Sequence, residues 1–114
     1  MAEDRMLSEL GQFTGTEEYH KMSLFKSQFT DGVAYIMQNG YQWLVTDALA
    51  VIETELRDEE FLAVKLKVAG KAADMAIDDG NGKILYKKHY TYTDAKRDVT
   101  LFWENGVLLL SGEH

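Results

Sequence analysis

The 114-residue sequence contains no cysteine and no proline. Without cysteine there is no disulfide, no thiolate metal site, no iron–sulfur cluster and no thiol nucleophile. This suits a reducing compartment, and a cytoplasmic location is the expectation. Proline normally supplies ~5% of residues, so its absence excludes polyproline segments and rigid linkers and leaves the turns to glycine and asparagine. No apolar run approaches the ~20 residues of a membrane-spanning helix, and the start Met1-Ala2-Glu3-Asp4-Arg5 lacks a basic region followed by an apolar one, so no membrane partner is expected. Gly-x-x-x-x-Gly-Lys-Ser/Thr, Gly-x-Gly-x-x-Gly and Gly-x-Ser-x-Gly are also missing, which leaves phosphate-cradling loops and serine hydrolase chemistry without a motif.

What the chain has in excess is acid. Its formal net charge is −7, with 46% hydrophobic and 27% charged residues. Residues 1–60 hold twelve Asp/Glu against four Lys/Arg and residues 61–114 seven against eight, so the first half carries −8 and the second +1. A split of this kind implies two structurally different halves whose fields can orient a partner. Nucleic acid is disfavoured as a direct partner, because phosphate binding needs clustered Lys/Arg and the acidic half would repel it. The length fits one domain, 1–114, able to bury ~60–70% of its unfolded surface.

Periodicity divides the chain in the same place. Met6, Leu7 and Leu10 fall at helical spacing before Gly11, and Thr16 suits the start of a helical turn carrying Glu17, Glu18 and Tyr19. Thr30 is a candidate N-cap for a helix holding Val33, Ile36 and Met37, which Gly40 ends. Tyr41, Leu44, Val45, Ala48, Leu49, Ile52 and Leu56 then recur at three- and four-residue steps, with Thr46 and Asp47 beside that stripe. After Asp58-Glu59-Glu60 the period becomes two: Leu62, Val64, Leu66 and Val68 alternate with Ala63, Lys65 and Lys67. Further strands are expected at Ala73-Met75-Ile77, from Lys83 to Thr93, and at Val99–Glu104 and Val107–Ser111. Asp-Gly and Asn-Gly pairs mark the hairpins. The expected fold is α+β: N-terminal helices over about 3–58, packed on a C-terminal antiparallel meander of about five strands over about 61–111.

Few residues suggest chemistry. Glu17-x-x-His20 has the spacing of a di-iron half-site, but such sites need a second copy and two further carboxylates. His89 has no local carboxylate or nucleophile that would make it a general base, and Asp78 to Gly82 lacks the ligand spacing and closing glutamate of a calcium loop. No catalytic residue, metal ligand or cofactor is assigned. Two surface features remain. One is the acidic run Glu53, Glu55, Asp58, Glu59 and Glu60, able to mimic phosphates against a basic protein or to serve as a solubilising helix end. The other is a row of Lys65, Lys67, Lys87 and His89 on one sheet face, in the manner of lysines that guard sheets against unwanted pairing.

Phe13-Thr14-Gly15-Thr16-Glu17, Thr30-Asp31-Gly32-Val33, Trp43-Leu44 and Asp78-Asp79-Gly80-Asn81-Gly82, in this order and spacing, resemble a small prokaryotic family of bacteria and mobile elements known only as a domain of unknown function. The resemblance runs from about Leu10 onward and departs at Glu53 to Glu60, which is more acidic than the family pattern. It carries over no catalytic residue, and it implies a cytoplasmic accessory protein of a phage or plasmid.

The leading expectation is therefore a non-enzymatic module that binds another protein, such as a basic nucleic-acid-handling or host-defence protein, through Glu53, Glu55, Asp58, Glu59 and Glu60. The alternative is a small-molecule binder or enzyme with a pocket between helices and sheet, lined by Trp43, Tyr90, Tyr92 and Trp103 with Asp47 or His89 as polar groups. A homodimer built on the open sheet face or the last strand is the third option.

Overall fold

The computed structural model of the chain describes residues 19–22 and 25–113. Its strands are β1 (His20–Lys21), β2 (Gln28–Phe29), β3 (Phe61–Ala69), β4 (Ala72–Asp78), β5 (Ile84–Tyr90), β6 (Val99–Glu104) and β7 (Val107–Leu110). Between β2 and β3 lie a short helix α1 (Asp31–Ile36) and a longer helix α2 (Gln42–Glu55); a 3-10 turn, Ser111–Glu113, follows β7.

Local chemistry sets the helix limits. The Thr30 hydroxyl accepts the backbone amide of Val33 at 3.3 Å, which caps α1. At the other end Asn39 leaves the helical path (φ −110°, ψ 28°) and Gly40 takes φ 101°, a conformation that costs any residue with a Cβ. The chain thereby turns and restarts as α2. The α2 stripe then buries Leu44, Val45, Ala48, Leu49 and Ile52 completely. They form one core with Leu62, Val64 and Leu66 of β3, Met75 and Ile77 of β4, Leu101 of β6 and Leu108 of β7.

The strands make one sheet in the order β1-β2-β7-β6-β3-β4-β5. This corrects the expected five-strand antiparallel meander in three ways. The described residues form seven strands; β2 runs parallel to β7, with Phe29 opposite Leu108; and β6 returns to the free side of β3, where Val64 faces Leu101. The two extra strands lie in the half expected to be helical. At two residues each they are too short to show a period, and only pairing, of β1 with β2 and of β2 with β7, defines them. The strand expected from Lys83 to Thr93 is shorter, Ile84–Tyr90, and has a bulge against β4 at Ile77/Asp78. The expected helix near Met6 and the turn at Thr16 to Glu18 lie outside the described residues. Tyr19 and His20, described, are not helical: His20 pairs with Phe29 in β1, and its ring nitrogen meets the Asp31 carboxylate at 2.7 Å. His20 therefore lies on a strand and not on the helical turn expected there, while Glu17 lies outside the described residues.

No described helix is long and apolar enough to cross a membrane.

Candidate acidic interface

The acidic run begins on the last turn of α2 and ends at the first residue before β3. Leu56 closes the helix by donating its amide to the Ile52 carbonyl at 3.0 Å, and Glu59 donates to the Leu56 carbonyl at 3.1 Å. That tight turn spreads Asp58, Glu59 and Glu60 over one end of the molecule. Glu55, Asp58 and Glu60 are exposed and Glu59 is half-buried. Among the described residues none of these four has a cation within ion-pair distance, Arg57 included.

Glu53 has a different task. Its carboxylate accepts the backbone amides of Lys26 at 2.9 Å and Ser27 at 2.6 Å. Burial pushes the Glu53 carboxyl up, but the Ser27 hydroxyl and the two backbone donors outweigh that and hold it below its ordinary value. The Ser27 hydroxyl also accepts the Trp103 indole N–H at 3.1 Å. Glu53 thus fastens α2 to the segment entering β2, and it stands apart from the four carboxylates beyond it.

Two open clefts flank this end. A cleft of about 240 Å³ lies between Lys26, Ser27, Glu53, Arg57, Trp103 and Gly106. A neighbouring depression of about 550 Å³ is lined by Arg57, Glu59, Glu60, Phe61, Trp103, Glu104 and Asn105. Arg57 and Trp103 border both.

The structure does not bring together the pocket residues read from the sequence. Trp43 and Tyr90 do meet, edge to face at 4.8 Å, and the Tyr90 hydroxyl donates to Asp47 at 2.7 Å. Lys88 reaches the same Asp47 oxygen at 3.2 Å and lies 5.1 Å from the centre of the Tyr90 ring. Burial, reinforced by Asp47, raises the Tyr90 phenol well above its ordinary pKa. Tyr92, however, points into solvent at 67% exposure, and Trp103 is held at the other end of α2. His89 sits on the opposite sheet face, 2.7 Å from Asp74. The helix–sheet boundary between these groups is closed, with Leu44, Leu49, Leu62 and Ile77 all fully buried.

The lysine row does form. Lys65 and Lys87 both lie opposite Ala76, and Lys67 and His89 both lie opposite Asp74, so all four share the face away from the helices. Lys65 is paired with Asp78 at 3.2 Å. Sequence periodicity located this face because its alternation is unbroken from Leu62 to Val68. It could not locate Asp47 against Tyr90 or Glu53 against Ser27, since neither pair lies within one element.

Fold and site together define a small α+β protein whose described residues place two helices on one face of a mixed seven-stranded sheet. Residues 4–114 match the family of unknown function DUF6876, and the chain belongs to that family. No curated protein and no solved structure matches it.

Proposed function

We propose that the protein is a non-enzymatic interaction module whose acidic end, Glu55, Asp58, Glu59 and Glu60, binds a basic protein. The supporting observation is that these carboxylates stand at the C-terminal end of α2 with no cation within ion-pair distance among the described residues, although they oppose the dipole of that helix. Such a surface raises the encounter rate with a positively charged partner and favours it over acidic ones. Arg57 and Trp103, at the border of the two clefts, are of the residue types that concentrate binding energy at interfaces. The partner class is a nucleic-acid-handling or host-defence protein, and the setting is a cytoplasmic accessory role on a phage or plasmid; both rest on the resemblance drawn from the sequence.

The test is capture from host lysate with the wild type and with Glu55→Lys/Asp58→Lys/Glu59→Lys. A partner held by the wild type should be lost in the triple variant and weakened by salt. Equal retention by both proteins, or retention indifferent to salt, would rule the reading out.

A further inference from the structure

Among the described residues β5 is the outermost strand of the sheet, seven residues long, and pairs on one side only, with β4. Alternate N–H and C=O groups of an edge strand point away from its neighbour, so β5 offers an open row of donors and acceptors. The strand at the opposite edge, β1, has two residues. The bulge in β5 falls at its Ile84 end and leaves Tyr86 to Tyr90 in regular register with Ile77 to Ala73. Edges are commonly blunted by shortness, bulges or lysines; this one carries a bulge and lysines but keeps five residues, Tyr86 to Tyr90, in unbroken register.

Its charge has one sign. β5 carries Lys87, Lys88 and His89, with Lys83 just before it, and no acidic residue. Lys88 is held by Asp47 and His89 by Asp74, whereas Lys87 is exposed and has no carboxylate within ion-pair distance among the described residues. Pairing two copies of β5 would double the positive charge along one seam, which like-charge repulsion opposes. The same charge attracts a strand of opposite sign.

We infer that β5 is a docking edge for an extended acidic peptide of a partner protein, which adds to the sheet as an eighth strand. Backbone hydrogen bonds supply the attachment, and alternate side chains supply the selection. On the open face the incoming strand places carboxylates beside Lys87, where Lys67 adds to the positive field while Lys65 is neutralised by Asp78. On the helix-side face it places apolar side chains beside Tyr86 and Tyr90, which are half-buried there. The recognised pattern is acidic and apolar residues in alternation. This edge is separate from the acidic end, so the two proposals stand or fall independently.

The probe is an acetylated heptapeptide alternating Glu and Val, titrated into the full chain, with binding followed by anisotropy and by backbone amide exchange. Binding should slow exchange of β5 amides. It should vanish when the peptide amides facing β5 are N-methylated. Lys87→Glu should weaken it by about tenfold and make the chain prefer a Lys/Val peptide. Any of three results overturns the proposal: no protection of β5 at saturating peptide, equal binding of the N-methylated peptide, or a wild-type dimer whose β5 amides are already protected without peptide.

Discussion

The carboxylate of Glu53, on the last full turn of α2, holds the backbone amide of Ser27 at 2.6 Å across 26 positions of sequence. The amide of Lys26 shares that carboxylate, so one side chain satisfies two donors of a segment that has no helix or long strand of its own. Glu53→Ala should cost about 1–3 kcal/mol, because it leaves the partly buried Ser27 amide without its acceptor; Glu53→Gln should cost less. Urea unfolding measures both.

The same contact has a pH signature. The folded carboxyl titrates below its usual 4.5, so its stabilisation is complete above that value and is lost as pH falls through the folded value. The gap in unfolding free energy between wild type and Glu53→Gln should therefore be full at neutral pH and narrow in acid below the usual 4.5. A constant gap across that range would contradict an ionised Glu53 clamp.

Tyr90 and Asp47 should behave as a coupled pair. Tyr90→Phe removes a 2.7 Å hydrogen bond and should cost about 0.5–1.5 kcal/mol. Asp47→Ala should cost little more once Tyr90 is Phe, a non-additivity that a double-mutant cycle reads directly. The phenol is raised above its usual 10.0: its contribution is whole at neutral pH and is lost only as pH climbs through the folded value. Ultraviolet titration should lose one late-ionising phenol in Tyr90→Phe.

Thr30 is predicted to matter at both ends of the chain. Its hydroxyl accepts the Val33 amide and donates to Glu113 at 2.6 Å, and the same Glu113 oxygen accepts the Leu110 amide at 2.8 Å. Thr30→Ala should cost about 1 kcal/mol or more through the lost cap alone, whereas Thr30→Ser retains both bonds. Thermal melts of Thr30→Ala, Thr30→Ser and Glu113→Gln would show whether cap and C-terminal turn act as one unit.

Glu55→Lys should leave the fold intact and raise its stability by about 0.3–1 kcal/mol at low salt, since it places a cation where the helix C-terminus favours one. A fall in stability would mean that Glu55 serves the fold and not a surface.

Where local chemistry decides the outcome, the sequence was legible. Thr30 caps α1, Gly40 breaks it, the stripe from Leu44 to Ile52 is buried, and the lysines of β3 and β5 share a face. What stayed hidden depends on distant pairing. Gln28 and Phe29 are a strand only because Val107 and Leu108 lie beside them, and no pattern in either pair announces the other. The acidic run was visible as composition, yet its division into one structural carboxylate and four outward ones required knowing that Ser27 faces Glu53. The distance between Trp43 and Trp103 was hidden for a related reason: one lies on α2 and the other on β6, and no pattern within either element says how far apart the fold holds them.

The parallel pairing of β2 with β7 bears on how the protein is made. Translation delivers β2 long before β7 exists, and among the described residues β2 has only β1 to pair with until then. The sheet cannot be completed vectorially from its first strand. β3 and β4 can pair as soon as both have emerged, but the strip from His20 to Phe29 must wait for the hairpin of β6 and β7 to form the surface on which it docks. A ribosome stalled before Val107 would hold a chain with its central hairpin paired and its first two strands without a seat.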